Sequence, residues 1–195
     1  MYVVTNLFKI YFRLNTLRLC NNLIVTVERP NFPTLDKFPL AHGVTYKFYT
    51  GRLSMFNNDF EQAERSLDYA LTHCLRSSTR NRRLILLYLI PVKMIMGKFP
   101  HPGLLDKYQL DEFKTICTAV RRGELSAFNE SLATHQELFV RKVRRVAGGK
   151  AFGTHLRVVY GSVSHTTPRT RPFLRLSIFS GPVSDPGKAA NSGIP

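Results

Sequence analysis

Apolar residues recur at helical spacing along the first 140 residues of the chain, and polar or proline-rich segments separate one run from the next. Residues three or four positions apart share one face of a helix, so each run predicts an amphipathic helix. The first run comprises Val3, Leu7, Ile10, Leu14 and Leu17, and a second run follows it. Together the two runs predict a helical hairpin over residues 1–29.

A proline-rich loop is predicted next, over residues 30–43. Proline lacks the backbone N–H that helices and sheets use, so closely spaced prolines prevent a regular element. The loop contains Pro30, Pro33 and Pro39, and Gly43 ends it.

Residues 44–140 predict further helices that are joined in pairs by short turns. One apolar stripe ends at Phe56 and the next begins at Phe60. The polar residues between them include Asp59, which suits a helix cap because its carboxylate accepts from free backbone N–H groups. Helices joined by so short a turn lie antiparallel.

Small residues in this pair favour close contact between the two helix backbones. Gly51 lies on the first helix, and Ala63 and Ala70 lie on the second. Their spacing resembles the small-residue positions of a tetratricopeptide-type hairpin. We therefore expect these three residues to serve packing and not ligand binding.

Three more helices complete the predicted series. The first covers residues 80–96 with a kink at Pro91, because proline interrupts the helical hydrogen bonds. The second covers residues 110–120 and is closed by Gly123, since glycine readily adopts the left-handed conformation of a C-terminal cap. The third covers residues 125–139. With no convincing strand before residue 150, the predicted class is all-α, with stacked helical repeats.

The last part of the chain, residues 141–195, differs in character. It is rich in glycine, proline, serine and threonine, and it carries ten basic residues against one acidic residue. Strand-like content is limited to Leu156–Tyr160 and Phe173–Phe179. Because no apolar pattern here assembles a core, we predict an irregular, disordered and basic tail.

The net charge of the chain is +15, which favours acidic partners, with nucleic acid first and an anionic membrane surface second;. Two basic clusters are candidate RNA or DNA contacts, since arginine pairs well with phosphate. The candidates are Arg80, Arg82 and Arg83, beside Arg76, and then Arg141, Lys142, Arg144 and Arg145. The second cluster also fits a nuclear-import signal. The alternative for both clusters is a solvated basic surface without a ligand.

No constellation of catalytic or metal-binding residues is recognisable in the sequence. Paired-cysteine, zinc-protease and nucleophile-elbow motifs do not occur;. Cys20, Cys74 and Cys117 are isolated in apolar helical patterns, which predicts reduced thiols in the core. The apolar stretch from Leu84 to Met96 is too short to cross a bilayer. We therefore expect a protein that is not an enzyme and has no metal, cofactor, small-molecule substrate or membrane partner.

Four segments of the chain resemble the helical repeats of PCI-domain proteins. The resemblance extends from about Met1 to Val140. Its most specific part is the run Leu87-Tyr88-Leu89-Ile90-Pro91-Val92-Lys93. The segments are Gly51–Phe56, Asn58–Glu64, Arg82–Met94 and Ala119–Leu125, the last followed by Phe128, Leu132, His135 and Phe139.

The resemblance implies a tetratricopeptide-like helical solenoid that leads into a winged helix. It also implies a non-catalytic scaffold subunit of the nuclear transcription-and-export complex, which supports messenger-RNA export. The implied partners are a large scaffold subunit and a small acidic subunit. The implied location is the nucleus and the nuclear pore, with the cytoplasm as an alternative.

The chain departs from the family pattern at both ends. Further repeats are expected before the position of Met1, and an apolar helix leading into a winged helix is expected after Phe139. We therefore predict that the winged helix is missing and that the chain is a partial product. Two other functions remain open, namely an RNA-binding module that uses the basic tail and a PCI subunit of another assembly, such as the proteasome lid or the signalosome.

Overall fold

Helices account for most of the residues that the computed structural model describes, which are 1–122, 124, 126–131, 133–134 and 177–179. The predicted all-α class is confirmed, with two three-residue strands in addition. Residues 126–131 and 133–134 are also helical. The elements in chain order are α1 (Tyr2–Leu14), α2 (Leu17–Val27), a 3₁₀ turn (Leu35–Lys37), α3 (Leu40–Phe56), α4 (Phe60–His73), α5 (Thr79–Ile95), β1 (Lys98–Pro100), α6 (Pro102–Lys107), α7 (Glu112–Arg122) and β2 (Ser177–Phe179).

The hairpin of α3 and α4 forms where the polar turn predicted it. Asn58 takes a positive φ of 64° to reverse the chain. The Asp59 carboxylate accepts a hydrogen bond of 3.1 Å from the backbone N–H of Gln62 and so caps α4. An N-cap of this kind satisfies one of the donors that a helix start leaves without a partner.

Gly51 lies at a close approach between α3 and α4. A Cβ atom at this position would lie 2.8 Å from Leu67 Cγ and 3.2 Å from the Ala63 carbonyl oxygen. Ala63 and Ala70 are fully buried on the facing helix. Gly43 lies in the same helix, but a Cβ atom there would meet nothing closer than 3.9 Å.

The N-terminal hairpin packs through its aromatic residues. Phe8 and Phe12 of α1 are buried against α3 with Cys20 of α2, in a cluster separate from the larger core. The aliphatic stripe that predicts α1 is on the other side of the helix, where Val3 is 65% and Leu14 64% exposed. Helix α1 thus has two apolar faces, and the bulkier aromatic face is the one buried against α3.

The start of α3 and the presence of a strand before residue 150 differ from the sequence-based expectation. Helix α3 begins at Leu40, directly after Pro39 and before Gly43, so the loop is shorter than predicted. The expectation of no strand before residue 150 is wrong, because β1 pairs in parallel with β2 and places Phe99 opposite Ile178. Strand β2 falls within the predicted strand-like stretch at Phe173–Phe179. The other such stretch, Leu156–Tyr160, lies outside the described residues, as does the rest of the predicted tail.

Arg52 joins the two apolar clusters. Its side chain is 2% exposed, and its guanidinium carbon lies 4.5 Å from the ring centre of Phe12 and 4.4 Å from that of Tyr88. Phe48 and Tyr49 lie at 5.2 and 5.5 Å. Cations are attracted to the faces of aromatic rings at such distances, most strongly where water is excluded. Burial lowers the pKa of Arg52, but an arginine remains charged near neutral pH;.

The close approach at Gly51 leads to a test with a matched control in one helix. We expect Gly51→Ala to lower the free energy of unfolding by about 1–3 kcal/mol, because the added methyl group overlaps Leu67 and the α4 backbone. Gly43→Ala should be neutral or raise it by up to about 1 kcal/mol, because alanine is the better helix former. Urea unfolding followed by circular dichroism measures both changes. Equal effects of the two substitutions would contradict the close contact.

Candidate functional site

The candidate site of the described chain is the junction between α4 and α5, where three of the predicted nucleic-acid contacts lie. Arg80, Arg82 and Arg83 occupy the first turns of α5. The sequence grouped them as one basic cluster, but the structure gives each a different environment. The other four candidates, Arg141, Lys142, Arg144 and Arg145, lie outside the described residues, as does Gly123.

Arg82 is buried and bonded within the protein. Its Nε donates to the Tyr108 hydroxyl at 2.8 Å, and its Nη1 donates to the carbonyl oxygens of Leu71 at 3.2 Å and Cys74 at 3.0 Å. The two carbonyls belong to the C-terminal end of α4, where helical carbonyls lack partners within the helix. Arg82 therefore joins the end of α4 to α5 and α6, and burial corrects its prediction as a nucleic-acid contact.

Arg83 is also held by neighbouring residues, although part of its side chain reaches solvent. It donates to the backbone carbonyls of Tyr108 and Gln109 at 2.9 Å each. Its Nη2 lies 3.5 Å from the carboxylate of Glu112, whose side chain is 7% exposed. These contacts tie α5 to the start of α7, so they compete with any phosphate for this arginine.

Arg80 is the exposed member of the predicted trio. Together with Arg76 in the preceding turn, it has no ion pair among the described residues. The chain from Tyr69 to Leu105 contains six basic residues and no acidic one. No acidic residue lies in the first turn of α5 either, so the positive end of that helix dipole adds to the local charge;.

The two lysines of this acid-free segment are neutralised by residues of α4. Lys93 Nζ lies 2.8 Å from Glu64 Oε1 and 2.6 Å from Asp68 Oδ2. Lys98 Nζ lies 2.8 Å from Glu64 Oε1 and 2.9 Å from Oε2. Burial alone would raise the pKa of Glu64, but the hydrogen bonds from Lys93 and Lys98 outweigh it and hold this pKa below its ordinary value;.

The predicted core thiols are buried and are not paired in disulfides. Burial raises the pKa of Cys20 to about 11 and that of Cys117 to about 12. A thiol with so high a pKa carries almost no reactive thiolate at neutral pH. The three cysteines therefore serve packing in the described structure.

Within the described ranges, no group of three or more histidine, cysteine or acidic residues is arranged to hold a metal ion. The same residues contain no helix that is long and apolar enough to cross a membrane. At the junction itself, Arg76 and Arg80 are exposed, whereas Arg82 and Arg83 are bonded within the protein.

Sequence reasoning missed the roles of Arg52 and Lys93. Both are charged residues inside apolar helical stretches, and that position was the available signal, because a charge is buried only where partners compensate it. The partners come from other helices, namely Phe12 and Tyr88 for Arg52 and Glu64 for Lys93.

Several known proteins with similar sequences carry the PCI name. The chain is 46% identical over 140 residues to the PCI domain-containing protein 2 homolog of Dictyostelium discoideum, covering 72% of this chain and 33% of that protein. It is 45% identical over 141 residues to the PCI domain-containing protein 2 of Danio rerio, covering 72% and 35%. The predicted resemblance to PCI-domain proteins is thereby confirmed. No family model matches the chain.

A third relative extends the similarity beyond the helical part. The Protein CSN12 homolog of Mycosarcoma maydis is 34% identical over 181 residues, covering 87% of this chain and 40% of that protein. That alignment includes residues beyond the 140 or so that the other two relatives match. The chain spans about a third of the length of these two PCI domain-containing proteins.

The contrast between Arg82 and Arg80 gives a prediction for stability. We expect Arg82→Gln to lower the free energy of unfolding by about 2–4 kcal/mol, because it leaves buried acceptors on Tyr108, Leu71 and Cys74 without their donor. Arg80→Gln, the matched control two residues away on α5, should change it by less than about 0.5 kcal/mol. Denaturant titration of both variants decides between a structural and a surface role. A small effect of Arg82→Gln would refute the structural one.

The ion network around Glu64 predicts a loss of stability in acid. A carboxylate whose folded pKa lies below the unfolded value of 4.5 stabilises the protein above that pH and loses this effect as the pH falls through the folded pKa;. Glu64→Gln should therefore lower stability at neutral pH and flatten its decline between about pH 5 and about pH 2. Unfolding midpoints across this range measure the difference.

Glu61→Gln is the control for this comparison, because Glu61 forms an exposed i,i+4 pair with Arg65 on the same helix. Exposed ion pairs of this kind contribute little to the free energy of unfolding. The stability of Glu61→Gln should fall with decreasing pH as steeply as that of the wild type. If its stability changed as little with pH as that of Glu64→Gln, Glu64 would have no special role.

Proposed function

We propose that this chain, a homologue of PCI-domain proteins over its helical part, is a non-catalytic scaffold subunit that supports messenger-RNA export. The similarity to PCI domain-containing protein 2 from two distant eukaryotes carries the proposal. A scaffold acts by presenting surfaces, and the paired helices of the described chain are suited to that role.

The protein contacts of this subunit fall to its helical repeats. We assign it a large scaffold subunit and a small acidic subunit as partners, in a transcription-and-export complex at the nucleus and the nuclear pore. Exposed apolar residues support this assignment, because a helical repeat buries such residues against a neighbour. They are concentrated near the start of the chain, where Tyr2, Val3, Ile10, Leu14, Leu19, Val25 and Leu40 are exposed.

The RNA contacts fall to basic residues of the tail and of α5. Arg141, Lys142, Arg144 and Arg145 form the densest basic run of the sequence, and Arg80 is the exposed candidate within the described helices. Arg82 and Arg83 take no part, because neighbouring carbonyl oxygens occupy their donors.

A second candidate is a PCI-domain subunit of a different assembly, such as the proteasome lid or the signalosome. We keep it as the second candidate because one of the relatives carries a different name, Protein CSN12 homolog. The two candidates predict different partners, so copurification separates them.

The partner test uses the whole chain, purified with an affinity tag and mixed with the large scaffold subunit of the export complex. We expect stoichiometric capture that survives size-exclusion chromatography, because the helical pairs would provide the docking surface. A matched incubation with subunits of the proteasome lid and the signalosome is the control. Capture only by those subunits would favour the second candidate, and capture by none would contradict a scaffold role.

The RNA test measures the dissociation constant for single-stranded RNA over a series of salt concentrations. Each phosphate contact adds about 0.7 to the slope of log K against log salt. Replacing Arg141, Lys142, Arg144 and Arg145 by glutamine should therefore reduce the slope by about 3. Glutamine at four exposed basic residues of the N-terminal part, Lys9, Arg13, Arg18 and Lys37, is the control. An equal reduction in both variants would refute specific contacts in the tail.

A further inference from the structure

Strand β1 forms an edge that is held in place by the helices around it. Gly97 has a positive φ of 76° between the end of α5 and the start of β1 at Lys98. The Lys98 ammonium group donates to both carboxylate oxygens of Glu64 on α4, at 2.8 and 2.9 Å. Phe99 is 1% exposed and belongs to the larger apolar core. The backbone of β1 is therefore fixed by contacts of its own side chains.

Arg121 of α7 makes two further contacts with β1. Its guanidinium carbon lies 5.4 Å from the ring centre of Phe99, and its Nη2 donates to the carbonyl oxygen of Pro100 at 3.5 Å. Each residue of β1 thus contacts a helix, Lys98 through α4 and the other two through α7. None of these contacts involves β2, so the edge is in place before a second strand pairs with it.

Strand β2 is a weak occupant of this edge. It pairs in parallel with β1 over three residues, with Ile178 opposite Phe99. In the described part of the chain the sheet consists of these two strands. Parallel pairing is slightly less stable per residue than antiparallel pairing, and two strands alone are marginally stable in water. Pro100 also brings no N–H donor to the ladder. We therefore expect β2 to leave β1 more readily than the helices unfold.

We propose that β1 is a strand-addition site, where an extended segment of a partner protein replaces β2. Strand addition gives an extended peptide main-chain hydrogen bonds and reads its side chains at alternate positions. The present occupant, Ser177-Ile178-Phe179, indicates what the edge accepts, namely an uncharged segment with β-branched and aromatic residues;. Strand β2 is then an internal competitor that covers the edge until the partner strand displaces it. This assignment goes beyond the scaffold and RNA functions, neither of which specifies β1.

A partner segment suits this edge better than nucleic acid or a second copy of the chain. Nucleic acid has no peptide N–H and C=O groups at the spacing of a strand, so it cannot form the ladder. A second copy would bring an identical β2, which gains no contact over the β2 that is already linked to its own β1 and loses the benefit of that linkage. A partner strand can exceed β2 by adding side-chain contacts with the helices that hold β1.

The test uses the full chain and a fluorescent peptide with the sequence of residues 173–181. In the variant Ser177→Pro with Ile178→Pro, β2 no longer pairs, because proline lacks the N–H that the ladder needs. Fluorescence anisotropy should show that this variant binds the peptide at least about tenfold more tightly than the wild-type chain, whose own strand covers the edge in most molecules. Equal affinities, or no binding to either chain, would overturn the proposal.

The matched control is Val158→Pro with Val159→Pro, which places the same change in the other strand-like stretch of the tail. It should bind the peptide within about twofold of the wild-type chain, because β2 is intact. A second peptide, with proline at the positions of Ser177 and Ile178, should not bind any of the three chains. A control chain as tight as the test variant, or binding of the proline peptide, would refute strand exchange at β1.

Hydrogen exchange locates the bound peptide. At least one of the amides of Lys98 and Phe99 should exchange at least about tenfold faster in the Ser177→Pro, Ile178→Pro variant than in the wild-type chain. The peptide should restore its protection. If the peptide protected other amides and left those of β1 unchanged, it would be bound to a different surface, and the proposal would be wrong.

Size-exclusion chromatography tests a second copy as the occupant. The wild-type chain and the Ser177→Pro, Ile178→Pro variant should elute alike over a range of concentrations, because each wild-type β1 is covered by its own β2. A wild-type dimer that the two prolines abolish would identify β2 of another copy as the occupant and refute the partner segment.

Discussion

The burial of Arg52 is the constraint on which the arrangement of the helices depends. Arg52 is only 2% exposed, so the free-energy cost of burying its charge must be offset by neighbouring groups. Four aromatic rings from three helices surround its guanidinium. Phe12 belongs to α1, Phe48 and Tyr49 to α3, and Tyr88 to α5. Displacing any of these helices would remove aromatic rings from the guanidinium and leave its buried charge less well compensated. The contacts of Arg52 therefore hold α1, α3 and α5 together.

Helix α3 uses neighbouring residues for opposite demands. Gly51 has no side chain, which leaves room for α4. Arg52 has the largest of the fully buried side chains, and it contacts α1 and α5. Successive residues on a helix point about 100° apart, so the two contacts lie on different sides of α3. This explains how one helix can pack against α1, α4 and α5 at once.

The sequence predicted the features that depend on local spacing. The turn at Asn58, the cap at Asp59 and the close approach at Gly51 follow from neighbouring residues, and the structure contains all three. It could not predict which face of α1 is buried, because that helix has apolar residues on both sides. Nor could it separate Arg82 from Arg80, since the acceptors on Leu71 and Cys74 become available only when α5 packs against the end of α4.

The parallel pairing of β1 with β2 has a consequence for the order of events during synthesis. Pro100 and Ser177 are separated by more than seventy residues, whereas α3 and α4 are joined by three. Closing a long loop costs more chain entropy than closing a short one, and the ribosome releases the chain from its N-terminus. We therefore expect the helices from α1 to α7 to form before Ser177–Phe179 can pair with β1. Strand β2 then pairs with β1, whose first residue, Lys98, is held in place by its ion pair with Glu64.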